Sequence, residues 1–127
     1  MDLSFGKAYK LCSKTSIENL FDKGSSVRMH PYLIKYQFDE FKDDSRFKLV
    51  ITAPKRQFKK AVDRNRIKRI SREAIRHNKF ILESFLEEQN KQLALFIIYN
   101  GKEEESAELL NKQINKLFKK IISQLNN

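Results

Sequence analysis

Seven consecutive apolar residues, Leu93–Tyr99 (LALFIIY), end abruptly at Asn100-Gly101. A run this short and uninterrupted, closed by a turn pair, reads as a strand buried on both faces. Such a strand needs packing partners on both sides, and the rest of the chain offers them.

Ser16 can cap a first helix running to Lys23, with Ile17, Leu20 and Phe21 at i, i+3, i+4 and Gly24 as the stop. From Val27 to Asp39, Tyr32, Ile34, Tyr36 and Phe38 alternate with Leu33, Lys35 and Gln37. That is a strand period, with room for a further short strand around Ser25–Val27. The polar turn Asp39–Ser45 leads to a second strand, Phe47–Thr52, expected to pair with the first as an antiparallel hairpin. A long helix follows from near Lys60 to about Glu88, with or without a break near His77–Lys79. The last helix opens around Glu103–Ser106, where carboxylates favour a helix N-terminus. Its apolar stripe is Leu109, Leu110, Ile114, Leu117, Phe118, Ile121, Ile122 and Leu125. The order is α-β-β(-β)-α-β-α, an α+β chain with a small, mostly antiparallel sheet, read as a single domain over residues 1–127.

Charge gives the first functional clue. Eleven of the 26 basic residues and two of the 16 acidic ones lie between Lys55 and Lys79, a net +9 that leaves +1 for the other 102 residues. A localised basic block is the electrostatic footprint of a polyanion partner. The lone Cys12 allows no internal disulfide, and no apolar run approaches the length of a bilayer span. Neither does MDLSFGKAYKL hold an apolar signal segment, so a cytoplasmic protein without membrane contact is expected.

On a helix with 100° steps from Arg64, Asn65, Lys68, Arg69, Arg72 and Arg76 join Arg64 between roughly 0° and 140°. Ile67, Ile70, Ala74 and Ile81 fall between roughly 240° and 300°, with Ser71 and His77 beside them. The apolar stripe is expected to face the sheet, although Ile75 falls inside the basic sector and Arg66 outside it. Arg grips phosphate oxygens with a planar fork, Lys supplies a point charge, and Asn65 suits a sugar hydroxyl or a base edge. Solvated helix faces intersperse acids at i+4; here the like charges repel one another unless a polyanion is present.

The stretch PKRQFKKAVDRNRIKRISREAIR (Pro54–Arg76) resembles the signature of the bacterial ribonuclease P protein family. The matching elements are Arg64-Asn65-Arg66, Lys68-Arg69 and Arg72-Glu73-Ala74, and upstream FGKAYKLCSKTSIENLFDKG (Phe5–Gly24). The resemblance implies an α-β sandwich whose left-handed β-α-β crossover exposes the basic helix. It also implies a non-catalytic subunit of a ribonucleoprotein endonuclease, partnered by ribonuclease P RNA and precursor tRNA and requiring no protein partner. Mg²⁺ would be held by the RNA, and no cofactor by the protein alone. Carried over by position, the RNA-docking set is Lys55, Arg56, Lys59, Lys60, Arg64, Asn65, Arg66, Lys68, Arg69 and Arg72; the helix face adds Arg76. A cleft for the 5′ leader of precursor tRNA would include Ile17, Phe21, Leu33 and Lys35. The family usually has aromatics where Ile17 and Lys35 stand, and a one-residue shift would bring in Tyr36 or Tyr32. Phe21 is equally placed to be core, on the stripe of Ile17 and Leu20.

No protein active site is visible. His30 and His77 are far apart and read as structural, Asp63 and Glu73 as charge balance among arginines, and no residues suggest a metal site. Replacing Arg64, Arg66 and Lys68 is expected to weaken RNA affinity without unfolding the chain. Four to six phosphate contacts would give a logarithmic salt slope of about −3 to −5. The rivals are a ribosomal or ribosome-assembly protein that binds rRNA, and a DNA-binding regulator using the basic helix in the major groove.

Overall fold

The computed structural model describes residues 10–11 and 14–126. Its elements are α1 (Lys14–Lys23), β1 (Ser25–Met29), β2 (Tyr32–Asp39), β3 (Phe47–Thr52), α2 (Ala61–Gln89), β4 (Gln92–Tyr99) and α3 (Ala107–Leu125). The strands form one sheet in the order β1-β2-β4-β3, antiparallel except between β3 and β4. The chain is an α-β sandwich of the α+β class, in the element order expected and with the short extra strand present as β1.

β4 explains the layering. Leu93, Leu95, Ile97 and Tyr99 enter the main core, which α2 and α3 close with Ile67, Ile75, Leu82, Ile114, Leu117 and Phe118. Ala94 enters a smaller cluster with Leu11 and Leu20 on the α1 side, where Phe96 packs beside it. Each fully buried Leu, Ile or Phe contributes about 1.5–3 kcal/mol relative to exposure, so burial on two faces fixes β4 in the middle.

That placement corrects the expected hairpin. β2 and β3 do not pair, because β4 lies between them, antiparallel to β2 and parallel to β3. The strand that is apolar on both faces takes the position with a neighbour on each edge and helices on both faces. The β2–β3 connection crosses the start of β4, where the Gln92 side chain fastens it. Gln92 Nε2 donates to the carbonyls of Asp43 (2.9 Å) and Ser45 (2.7 Å), and its Oε1 accepts from the Phe41 amide (2.8 Å).

Helix ends also differ in detail from expectation. α1 begins at Lys14, so Ser16 lies inside it rather than capping it. Gly24 does mark its stop: a Cβ there would stand 2.5 Å from the Leu20 carbonyl oxygen. α2 is continuous, with no break near His77–Lys79. Two of the polar residues there, Asn78 and Lys79, turn inward instead, and Asn78 Nδ2 donates to the Ala74 carbonyl (2.8 Å) and to Asn111 Oδ1 (2.6 Å) on α3. α2 ends on Asn90 in the left-handed conformation (φ 53°), whose amide, with that of Lys91, takes up the last carbonyls. Ser106 caps α3, its Oγ accepting from the Leu109 amide (3.1 Å).

Candidate nucleic-acid interface

The basic surface begins in the loop before α2. Phe58 is buried with its ring edge-on to Tyr99 (centroids 5.8 Å apart), and the Gln57 and Phe58 amides both bond the Pro54 carbonyl. This anchor leaves Lys55, Arg56, Lys59 and Lys60 exposed. Arg64 ties the loop to the helix: its Nη1 donates to the carbonyls of Phe58 (2.7 Å) and Lys59 (3.0 Å).

Along α2 the basic residues divide by partner. Arg66 Nη1 sits 3.0 Å from Glu104 Oε2, and its Nη2 is 3.6 Å from Asp63. Arg76 pairs with Glu73 at 2.8 Å, and the hydrogen bond from that guanidinium holds the Glu73 carboxyl below the usual carboxylate range. Lys68, Arg69 and Arg72 reach the surface and form no ion pair among the described residues. Asn65 is exposed beside them.

Two residues depart from the helical projection. Ile75 is fully buried although it falls in the basic sector, and Lys79 is 2% exposed with its ammonium 5.2 Å from the Phe80 ring centre. α2 packs more extensively on α3 than on the sheet. Its buried arc, through Ile67, Ser71, Ile75, Asn78, Leu82 and Leu86, is therefore wider and rotated relative to the four residues that defined the stripe. Ile70 and Ile81 are only partly buried, and His77 is exposed near Glu73 (3.9 Å).

The structure supplies the predicted docking set with a role the sequence did not show. Arg64 holds the loop as well as carrying charge, so removing it perturbs both. Arg64→Ala is expected to lower stability by about 1–2 kcal/mol, read as a lower urea midpoint, whereas Lys68→Ala leaves the midpoint within experimental error. For this reason Arg64, Arg66 and Lys68 together are a poor test of binding alone.

The second candidate region lies on the opposite face of the sheet. Phe21 is 46% exposed, with its ring 4.7 Å from that of Phe96 on β4. Lys35 reaches over it, its Nζ 5.3 Å from the Phe21 ring centre and 3.4 Å from the Phe21 carbonyl. Leu33 is one step along the same strand face, opposite Ile98, and Ile17 packs toward Leu11, Leu20 and Ala94. All four predicted residues thus share the α1 side of the sheet. Tyr36 and Tyr32 do not: both are buried under α2 and α3, where Tyr36 hydrogen-bonds Gln124 and Tyr32 shares a 2.7 Å bond with Ser71. Phe96 was missed by sequence reasoning. Period-two counting along Leu93–Tyr99 would have put it on the Ala94 face.

His30 lies 3.9 Å from Glu105 and is largely exposed. Among the described residues, no three His, Cys, Asp or Glu side chains are grouped so as to hold a metal ion, and no helix is long and apolar enough to cross a membrane. Cys12 and residues 5–9 of the upstream segment lie outside the described residues.

A basic helix whose Lys68, Arg69 and Arg72 form no ion pair among the described residues, a basic loop fastened at its start, and an open aromatic face across the sheet define a nucleic-acid-binding protein. Comparison with known proteins narrows the class. The Ribonuclease P family model matches residues 5–122, and the chain belongs to that family. It is 32% identical over 120 residues to a ribonuclease P protein component of Pseudoalteromonas translucida, covering 94% of this chain and 79% of the relative. A Porphyromonas gingivalis ribonuclease P protein component is 30% identical over 83 residues, 65% of this chain and 61% of its own length. Among solved structures, the fold is similar to the RNase P proteins of Thermotoga maritima (TM-score 0.68, 20% identity, 87% of this chain and 96% of that one) and Staphylococcus aureus (0.65, 20%, 89% and 94%).

Proposed function

We propose that the chain is the protein subunit of ribonuclease P and assists a catalytic RNA in maturing the 5′ ends of tRNA in the cytoplasm. The observation that carries this reading is the face of Lys68, Arg69 and Arg72, unpaired among the described residues and inside the segment matched to the family. That face and the loop at Lys55, Arg56, Lys59 and Lys60 bind phosphates of the ribonuclease P RNA. The 5′ leader of precursor tRNA lies on the opposite face, where Phe21 and Phe96 offer rings for an unpaired base and Lys35 a charge for the backbone.

In this reading Mg²⁺ would be held by the RNA and would supply the activated water, while Asp63, Glu73 and Glu104 each face an arginine of the chain. The chain's own part is to neutralise phosphate charge and hold the leader, which lowers the divalent-ion concentration needed for cleavage. The ribosomal alternative is disfavoured by a family match running through residues 5–122.

The test is 5′ cleavage of a precursor tRNA by ribonuclease P RNA at low Mg²⁺, with and without the protein. Stimulation is expected from the parent chain, and loss of most of it when Lys68, Arg69 and Arg72 are all Ala. No stimulation by the parent chain with RNA of its own source would overturn the reading.

A further inference from the structure

α3 carries a second cationic surface. Lys112, Lys116, Lys119 and Lys120 are exposed, and none is in an ion pair among the described residues. At 100° per residue the first three fall within about 60° of one another, opposite the buried Leu110, Ile114, Leu117 and Ile121. Glu108, in the first turn, is the only acid in the helix. A solvated face would alternate signs along its length; this one carries only positive charge from Lys112 to Lys120.

The lysines also border a built feature. Lys112 and Lys116 line a groove between α2 and α3 together with Asn78, Glu108, Asn111 and Asn115. Asn78 is buried, donates to Asn111 Oδ1 (2.6 Å) and accepts from Asn115 Nδ2 (3.0 Å). Those bonds fix both α3 amides. They leave the Asn111 NH₂ as a donor and the Asn115 Oδ1 as an acceptor without partners among the described residues. A ribose 2′-hydroxyl both donates and accepts, which is the complement of that pair, and phosphates on either side would meet the lysines.

We propose that the α2–α3 groove, with Lys112, Lys116 and Lys119, is a second docking surface for the sugar-phosphate backbone of the ribonuclease P RNA. The layering selects this partner over the substrate. α2 and α3 share one side of the sheet, so the α3 lysines open on the side of the docking helix, whereas Phe21, Lys35 and Phe96 lie beyond the sheet with α1. The inference rests on the proposed docking of α2.

The experiment is lysine acylation of the full chain, read residue by residue by mass spectrometry with and without ribonuclease P RNA. Lys112, Lys116 and Lys119 are expected to be slowed at least about threefold, as is Lys68, with Lys42 on the β2–β3 loop unchanged; a single-contact phosphate at each lysine also predicts that the Lys112→Ala/Lys116→Ala/Lys119→Ala chain binds the RNA about 10²-fold more weakly at 0.15 M salt, with a slope shallower by about 2 to 3. Protection of Lys68 without protection of the α3 lysines overturns this inference alone. Absence of protection at Lys68 as well overturns the α2 docking on which it rests. Protection of the α3 lysines only after precursor tRNA is added also overturns it, since the occupant is then the substrate.

Discussion

With Lys68, Arg69 and Arg72 all replaced by Ala, the chain is expected to bind ribonuclease P RNA about 10²-fold more weakly at 0.15 M salt, with a salt slope shallower by about 2 to 3. The size follows from three contacts. Each Lys or Arg that neutralises a phosphate releases about 0.9 of a counterion, and a loss of about 1 kcal/mol per charge-assisted contact compounds to about 10² over three sites. These residues are the clean choice because no acid pairs with them among the described residues, so their removal orphans nothing in the fold. Ala also has the higher helix propensity, and the urea midpoint should hold or rise slightly. Arg66 differs: part of its charge is already spent on Glu104 and Asp63. Removing it should therefore weaken binding less than removing Arg72. An unchanged affinity for the triple variant, with helical content intact, would put the RNA on another surface.

What the sequence disclosed depended on how local each signal was. The apolar run in β4 placed a strand buried on both faces, and the charge imbalance from Lys55 to Lys79 marked the basic helix. Both are properties of contiguous residues. The β2–β3 hairpin failed because strand neighbours are set by which strand most needs burial, and the competitor to β3 lies about 40 residues further along the chain. Ile75 and Lys79 escaped the helical projection for a related reason. A helix clasped by a sheet and by a second helix buries a wider arc than one resting on a sheet alone, and the partner helix is not written in α2 itself. Arg64 and Arg66 look equivalent as text, yet one bonds loop carbonyls and the other bonds Glu104. The Lys35 alignment was undecidable from alternation, since Leu33-Lys35 and Tyr32-Tyr36 are both regular; only the register with β4 assigns each set to a face.

Two phenylalanines that look alike in sequence should then behave oppositely. Phe118 is fully buried on α3, its ring edge-on to Phe47 at 6.5 Å. Phe118→Ala is expected to cost about 3–5 kcal/mol, from lost transfer energy and the cavity left between α3 and the sheet. Against a typical total of about 5–15 kcal/mol, that lowers the urea midpoint severely and takes RNA binding with it by unfolding. Phe21 is 46% exposed and rests on Phe96 by one edge of the α1 layer. Phe21→Ala should cost about 1 kcal/mol, the worth of a partly exposed ring and one aromatic contact. Its larger effect should fall on discrimination between precursor and mature tRNA, where loss of a stacked base is worth about 1–3 kcal/mol, or roughly five- to 150-fold. Denaturation and tRNA binding by the same two variants separate the cases. If Phe21→Ala destabilises the chain as much as Phe118→Ala and leaves precursor preference intact, Phe21 belongs to the core and the leader lies elsewhere. If stability survives while precursor preference collapses, the exposed ring is there for the substrate, and the fold has left it uncovered at little cost to itself.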